Sequence, residues 1–411
     1  MTSDALPTLE IPSAKAPFTR GAVARTLIHR IVASVPVRLR YPDGSHVGGG
    51  GEGAPTLDVV RPASMYRRIE QHPKIGLGEA YMAGDWRAAP GTDLAQALLP
   101  FAAKMGQLLP KPLLRMRRIV DRALPAGTRN TLVGSRANIE AHYDLSNDLF
   151  AAFLDPTMSY SSALFDHTRP LADQDLVEAQ HRKIDAILDS TAVGPGSRVL
   201  EIGTGWGELA LRAAARGADV LTITLSHEQA ALARERLTAA GLQDRVEVRL
   251  QDYREVTGQF DAIVSVEMIE AVGEEYWPTY FGAIDHLLAP GGTAAVQAIL
   301  MDHDRYLATR NSYGWIQKYI FPGGLIPSLD AISEVTGRHT QLRVRDVRAF
   351  GGDYAETLRR WRFRFLETWP QIEGGSFDET FKRMWEFYLA YCEAGFASGY
   401  LDVAQVTMRR D

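Results

Sequence analysis

The chain has 411 residues, of which 45% are hydrophobic and 23% are charged, and this ordinary globular composition excludes a largely disordered, collagen-like or fibrous protein. Its one cysteine, Cys392, excludes a disulfide framework and a cysteine zinc site. The length favours two or three domains. No apolar run of about 18 residues and no apolar signal segment is present, so we expect neither a transmembrane span nor a secretory signal. With a single cysteine, we expect the protein in a reducing cytoplasm.

Charge is unevenly distributed along the chain. Residues 1–140 hold 19 Lys and Arg against 11 Asp and Glu, whereas the remaining residues hold 26 against 39. A basic first part favours an anionic partner such as nucleic acid or a phospholipid surface, although ordinary surface charge gives the same counts. Within residues 101–123, basic residues are interleaved with Leu, Met, Ile and Val. Such a stretch is typical of a segment lying on an anionic membrane, and a packed connecting helix is the alternative.

The N-terminal region ends in a predicted linker. The sequence Pro-Ala-Gly-Thr at 125–128 indicates a boundary. We therefore expect a smaller N-terminal α+β domain over 1–125, associated with lipid, and a second domain over 126–411. A compact segment at 75–86 has helix-like apolar spacing with glycines at its exits.

Strands and helices alternate from residue 175 onward. This alternation predicts an α/β fold, with a mostly parallel seven-stranded sheet covered by helices on both faces. Two aromatic-rich helices and a closing strand are predicted near the C-terminus, over 354–368, 378–397 and 403–409. The earlier predicted helices are 175–190, 209–216, 228–240 and 276–288, and the strands are 198–202, 218–224, 246–250, 260–266 and 293–300.

A glycine-rich turn follows the first of these strands. Gly203, Gly205 and Gly207 lead from a buried strand into a helix, and glycine there lets the backbone turn sharply and approach a ligand. A dinucleotide site has the spacing GxGxxG, whereas here the third glycine comes one residue earlier. The ExGxGxG form, which begins at Glu201, resembles motif I of class I S-adenosylmethionine methyltransferases.

Further segments resemble that family in the same order along the chain. Polar loops follow the second, third and fourth strands, and Pro290-Gly291-Gly292 precedes the fifth. The resemblance implies that S-adenosylmethionine is the cofactor and that Asp252 and Tyr253 bracket its adenine. The residues it implies for cofactor binding are Tyr160, Ser161, Glu201, Gly203, Gly205, Gly207, Thr224, Leu225, Ser226, Gln229, Gln251, Asp252, Tyr253 and Glu267.

Longer motifs are similar to those of the cyclopropane-fatty-acid synthases, over nearly the whole chain. They lie at 142–150, 154–163, 317–324 and 350–361, together with the segment at 76–86. The resemblance implies transfer of a methyl group to a cis double bond in a phospholipid acyl chain, through a carbocation that loses a proton. An alkene is a weak nucleophile, so the reactants must be held rigidly in a dry cavity.

In that family a bicarbonate ion held by polar groups is thought to accept the proton. Glu270, Tyr354 and the backbone of Ile299 match the residues that hold it. Ser162 stands where the family has Cys, and Gln297 stands where it has His. Serine and glutamine can hydrogen-bond an anion, but neither can share a proton as histidine does.

These departures leave two bases open. A buried protein carboxylate can replace bicarbonate, and Glu140, within one helical turn of Tyr143, is the candidate. The alternative is a solvated Glu140, with Glu270 orienting a bound bicarbonate. No metal is expected at the site.

The altered residues also bear on the product. Proton loss from the new methyl group closes a cyclopropane, whereas a different deprotonation leaves a methylene group that a partner reductase can convert into a methyl branch. The altered site favours the methylene outcome.

The implied partners are an unsaturated phospholipid, the anionic inner face of the cell membrane and a second copy of the chain, and not nucleic acid. The alternatives are a small-molecule N-methyltransferase and an inactive lipid-binding module.

Overall fold

The computed structural model describes residues 11–13, 21–105, 147–374 and 377–411. These residues form two compact units. The first unit contains the described residues up to 105 together with 311–320 and 358–400, and the second contains 147–310, 321–357 and 401–411. The domain boundary predicted at residue 125 lies outside the described residues and stays a prediction.

The first unit combines a small sheet with helices. Its four strands are β1 (Arg38–Arg40), β2 (His46–Val47), β3 (Thr56–Val59) and β4 (Trp86–Ala88), in the order β2-β1-β3-β4. The helices are α1 (Gly21–Ala33), α2 (Pro62–Gln71), α3 (Gly76–Met82), α4 (Leu94–Ala103), α11 (Trp315–Tyr319) and α14 (Glu379–Ala397).

The predicted segment at 75–86 forms α3 and the turn into β4. Gly78 lies against the Trp315 ring, because a Cβ atom there would come 2.5 Å from that indole. The buried Glu79 carboxylate accepts hydrogen bonds from Lys318 Nζ and from the Tyr319 hydroxyl. This segment therefore packs inside the first unit.

A seven-stranded sheet is the centre of the second unit. Its order is β10-β11-β9-β8-β5-β6-β7, and the strands are β5 (Arg198–Ile202), β6 (Asp219–Thr224), β7 (Val246–Leu250), β8 (Phe260–Val266), β9 (Leu288–Met301), β10 (Leu342–Ala349) and β11 (Leu401–Arg410). Strands β5 to β9 pair in parallel, whereas β11 is antiparallel to both β9 and β10. The other helices are α5 (Asn147–Phe153), α6 (Leu176–Ser190), α7 (Glu208–Ala215), α8 (His227–Ala239), α9 (Trp277–Leu287), α10 (His303–Thr309), α12 (Leu329–His339) and α13 (Gly351–Ile372).

Apolar side chains cover both faces of this sheet. Successive residues of a strand point to opposite faces, so Val199 packs with α6 and α7 while Leu200 packs with α9. The carboxyl ends of the parallel strands open into loops, where ligands bind in such sheets. The prediction of a seven-stranded, mostly parallel sheet with helices on both faces is confirmed. Strand β10 and helix α12 were missed by the sequence analysis. In the described part of the chain, no helix is long and apolar enough to cross a membrane.

Candidate active site

A cavity opens at the carboxyl edge of the parallel strands. Twelve of the fourteen residues predicted to bind the cofactor line it. They come from the loops after β5, β6, β7 and β8 and from the segment before α6. The twelve are Tyr160, Ser161, Glu201, Gly203, Gly205, Thr224, Leu225, Gln229, Gln251, Asp252, Tyr253 and Glu267.

The glycine turn leaves space in front of its backbone. Gly203 and Gly205 both have positive φ, at 101° and 51°. Among the described residues, a Cβ atom on Gly205 would meet nothing within 4 Å, whereas one on Gly203 would come 2.7 Å from Met268. The open wall at Gly205 fits a ligand held against the backbone, as the resemblance implies for S-adenosylmethionine.

Two of the predicted cofactor residues do not line the cavity. Gly207 precedes α7 with φ of 91°, and a Cβ atom there would come 3.0 Å from Ala233. Ser226 caps α8, because its side chain accepts a hydrogen bond from the Gln229 backbone. Both residues shape the neighbouring loops and do not face the ligand space.

The acid near the carboxyl end of β5, Glu201, is buried and hydrogen-bonded. Oε2 of Glu201 accepts a hydrogen bond from the Thr222 hydroxyl at 2.6 Å. Burial raises the pKa of Glu201 to about 8, although that hydrogen bond opposes the shift. Burial thus favours the protonated form of Glu201, which can donate a hydrogen bond as well as accept one.

The loop after β7 is held by an ion pair. Asp252 caps the turn that follows and accepts hydrogen bonds from the Arg254 side chain at 2.7 Å on each of its oxygens. The Tyr253 ring meets Tyr280 edge-on, with centroids 5.4 Å apart. Both Asp252 and Tyr253 line the cavity, as their predicted place beside an adenine requires.

A buried lysine, missed by the sequence analysis, lies beside the predicted Ser161. Nζ of Lys183 donates to the Ser161 hydroxyl at 2.7 Å, and the lysine is 2% exposed. Burial lowers the pKa of Lys183 to about 8, although nearby carboxylates, Glu267 first among them, oppose the shift. The sequence did not indicate that Lys183 is buried, because a lysine on an amphipathic helix such as α6 is ordinarily on the exposed face. The sequence alone does not show which other segments cover the face of α6 that carries Lys183.

The predicted base site is organised around Glu267, which the sequence analysis placed among the cofactor residues. Its Oε1 accepts hydrogen bonds from the Ser162 backbone N–H and from Gln297 Nε2, both at 2.9 Å. Its Oε2 accepts one from the Tyr354 hydroxyl at 2.7 Å. The Ser162 hydroxyl donates elsewhere, to the Ala163 carbonyl. The predicted hydrogen bond from this hydroxyl to a bound anion stays a prediction.

Glu270 and Ile299, which were both predicted to hold a bicarbonate ion, contact each other. Oε1 of Glu270 accepts a hydrogen bond from the Ile299 backbone N–H. Its Oε2 is buried and has no hydrogen-bond partner in the described part of the chain. Burial and the adjacent charge of Glu267 raise the pKa of Glu270 to about 8.

Some sequence predictions lie outside the described residues. These are Glu140, proposed as the base, the motif at 142–146 and the basic residues from 106 to 123. Each stays a prediction.

The family model described as mycolic acid cyclopropane synthetase matches residues 131–406. This chain belongs to that family. A mycolic acid cyclopropane synthase crystallised with SAH and CTAB superposes with a TM-score of 0.61 and 30% identity, covering 67% of this chain and 98% of that one. A coclaurine N-methyltransferase is 17% identical with a TM-score of 0.53, which supports the fold alone.

Two relatives extend over most of the chain. The tuberculostearic acid methyltransferase of Mycobacterium tuberculosis is 50% identical over 98% of this chain and 94% of its own length. The cyclopropane-fatty-acyl-phospholipid synthase of Escherichia coli is 36% identical over 89% of this chain and 91% of its own. These relatives confirm three predictions: the family, an enzyme, and S-adenosylmethionine as the cofactor. The roles of individual residues stay predictions.

Proposed function

We propose that this enzyme transfers a methyl group to the cis double bond of an unsaturated acyl chain in a phospholipid. The observation that carries the proposal is a single cavity that joins the glycine turn at Gly205 to a held carboxylate, Glu267. Such a site can place a methyl donor beside a substrate and remove a proton in the same enclosed space. S-adenosylmethionine supplies the electrophilic methyl group when it is bound.

Different residues of the chain bind the cofactor and surround the reacting acyl chain. The loops after β5, β6 and β7 hold the cofactor, because they supply a close-approaching backbone and polar side chains. Tyr160 and Trp206 also line the cavity, and Phe150 packs against both rings, at 5.1 and 4.9 Å between centroids. These aromatic faces can stabilise a carbocation on the acyl chain and exclude water from it.

We infer a methylene product, which a partner reductase converts into a mid-chain methyl branch. The identity to a tuberculostearic acid methyltransferase, over nearly the full length of both chains, supports this product over a cyclopropane. The full-length relative named as a phospholipid-acting synthase supports a phospholipid substrate. Peripheral binding to the inner face of the membrane through residues 101–123, and a homo-oligomer, belong to the same proposal.

The test uses purified protein, S-adenosylmethionine carrying a labelled methyl group, and vesicles of a phospholipid with one cis double bond per acyl chain. Label should enter the acyl chain, and proton NMR of the released fatty acid should show vinylidene protons. Upfield ring protons would instead identify a cyclopropane, since the two products have the same mass.

Two other outcomes would contradict the proposal. Label transfer to small amines but not to vesicles would make the protein an N-methyltransferase. Cofactor binding without transfer to any acceptor would identify an inactive lipid-binding module.

A further inference from the structure

Glu267 adopts a backbone conformation that its side chain does not favour. It follows β8 directly and has a φ of 51°, in the left-handed region that glycine occupies most easily. Its backbone N–H donates to the Gln297 carbonyl at 2.8 Å, which fixes the residue beside β9. Unfavourable conformations of this kind cluster at functional sites, where the side chain is needed in one place.

The side chain of Glu267 is held by three residues that were predicted to bind a different anion, one of them through its backbone N–H instead of its side chain. The donors to its carboxylate are the Ser162 backbone, the Gln297 amide and the Tyr354 hydroxyl. Ser162, Gln297 and Tyr354 are three of the positions that the resemblance assigns to a bicarbonate site. Bicarbonate and a carboxylate share a planar O–C–O group with one negative charge, so the same donors suit either.

Glu270 and Ile299, the two remaining members of that site, contact each other. The Glu270 carboxylate accepts a hydrogen bond from the Ile299 backbone N–H. Burial and the charge of Glu267 raise the pKa of Glu270. Burial also raises the pKa of Glu267, but its three hydrogen bonds and the nearby Lys183 oppose that shift. When the pair holds a single negative charge, these contacts favour Glu267 as the charged member.

A second amide fixes the orientation of Gln297. Gln405 on β11 lies opposite Gln297 on β9. Nε2 of Gln405 donates to Gln297 Oε1 at 3.2 Å and to the Lys183 carbonyl at 2.9 Å. Because the Gln297 oxygen is engaged there, its NH₂ group is presented to Glu267.

We propose that the Glu267 carboxylate occupies the place of the bicarbonate ion and is the built-in base of this enzyme. The proposal rests on the proposed function, since it names the group that completes that reaction. It is an alternative to both bases that the sequence leaves open, Glu140 and a bicarbonate ion oriented by Glu270.

The step balances with the residues present. The π electrons of the alkene form the bond to the incoming methyl carbon, and the electron pair of the broken C–S bond stays on sulfur, which leaves a cation on the acyl chain. A 1,2-hydride shift moves the positive charge to the methyl-bearing carbon. After this shift the methyl group can no longer close a three-membered ring, and loss of one of its protons to Glu267 Oε2 gives the methylene group and a neutral carboxylic acid. The sequence-based expectation that the proton of the methylene product leaves from elsewhere is thus replaced by loss from the same methyl group after the hydride shift. Glu267 returns its proton to water when the product leaves.

Oε2 is the oxygen positioned for this transfer. Oε1 accepts two hydrogen bonds, whereas Tyr354 is the one donor to Oε2 in the described part of the chain. A carboxylate oxygen has two lone pairs, so Oε2 retains one for a proton. Glu267 also lines the cavity that holds the glycine turn.

The test compares two substitutions at this position, in buffer depleted of dissolved carbon dioxide. Glu267→Gln keeps the shape and removes the base, so turnover should fall ~100-fold or more. Its affinity for S-adenosylhomocysteine in a calorimetric titration should stay near that of the wild type. Glu334→Gln is the matched control, because it removes an exposed carboxylate on α12 that pairs with Arg338, and it should keep wild-type turnover.

The decisive comparison measures turnover of Glu267→Gly with and without an added anion. Glycine suits the backbone conformation and leaves an empty place facing three donors, so added bicarbonate or formate should restore part of the turnover of this variant. The wild type should not respond to either ion. This comparison remains informative if Glu267→Gln folds poorly, since folding of the glycine variant can be checked by its melting curve.

Specific results would overturn the assignment. Near-normal turnover of Glu267→Gln, a folded Glu267→Gly that neither ion restores, or stimulation of the wild type by bicarbonate would each do so. Loss of turnover in Glu140→Gln with retention in Glu267→Gln would return the role to Glu140. A wild type that methylates no lipid would instead contradict the proposed function.

Discussion

Gln405 donates a hydrogen bond from its side-chain amide to the side-chain oxygen of Gln297 across the antiparallel pair β9 and β11. This contact joins the C-terminal strand to the base site, because the other end of the Gln297 amide donates to Glu267. Gln297 is completely buried and Gln405 is 3% exposed, so water does not compete for either amide.

Replacing Gln297 should change the pH dependence of turnover. Burial raises the pKa of Glu267, and the hydrogen bond from Gln297 is one of the contacts that lowers it. Gln297→Leu removes that contact, so the pKa of Glu267 should rise and the acidic limb of the kcat profile should move to higher pH. Lys183, Tyr354 and Glu270 also face this carboxylate and remain in place. An unchanged acidic limb with lowered kcat would point to a packing defect alone.

Replacing Gly205 should abolish cofactor binding while the protein stays folded. A Cβ atom at Gly205 would meet no atom of the described residues within 4 Å, so the protein itself leaves room for it. Because Gly205 lines the cavity, the valine side chain of Gly205→Val should occupy the space of the bound cofactor. Gly241→Val is a matched control, because Gly241 also has positive φ and open space around it but does not line the cavity. Calorimetry should show binding to the control and none to Gly205→Val. Equal affinity in the two variants would remove Gly205 from the cofactor site.

The sheet and the cofactor loops could be predicted because local patterns determine them. Apolar strands, the glycine turn and helix caps are short-range signals. Gly205, Thr224 and Asp252, which they indicated as cofactor residues, line the cavity, and their contact with the cofactor stays a prediction. Gly207 and Ser226 were assigned to the ligand because a motif does not distinguish a glycine that packs a helix from one that faces a ligand. Here Gly207 packs against helix α8 and Ser226 caps the same helix.

The partners of Glu267 could not be predicted in this way. They are separated from it by 105, 30 and 87 residues along the chain, and their meeting depends on tertiary packing. The positive φ at Glu267 is equally invisible in the sequence. One signal was available, since an acidic residue directly after a buried parallel strand lies at the edge where sites form.

Removing the Glu270 carboxyl should change how stability depends on pH. The pKa of Glu270 is about 8 in the folded protein, above its ordinary value of 4.5. Between these values the folded state keeps a proton that the unfolded chain releases, so wild-type stability falls as pH rises. The stability of Glu270→Gln relative to the wild type should therefore increase from pH 5 to pH 8, by at most about 1.4 kcal/mol per pH unit.

Urea unfolding at several pH values measures this difference. Glu334→Gln serves as the control, since it removes an exposed carboxylate. A relative stability of Glu270→Gln that decreases with pH would contradict the assigned pKa direction.

Neutralising the basic stretch should weaken membrane binding. Residues 101–123 carry Arg115, Arg117 and Arg118 among apolar residues, and each arginine near an anionic surface contributes roughly 1 kcal/mol. The triple change to Gln should lower co-sedimentation with anionic vesicles, and the difference from wild type should shrink at high salt. Changing three exposed arginines of the second unit, Arg245, Arg249 and Arg338, to Gln removes the same number of charges and is the control for net charge. Equal sedimentation of the triple variant and the wild type would exclude this stretch as the membrane contact.

The most direct test of the account is methyl transfer to unsaturated phospholipid vesicles by the wild-type protein in carbon dioxide-depleted buffer, with and without added bicarbonate. If Glu267 is the built-in base of a lipid C-methyltransferase, labelled methyl should enter the acyl chains at the same rate under both conditions. Transfer that stops without bicarbonate and returns when it is added would contradict this account.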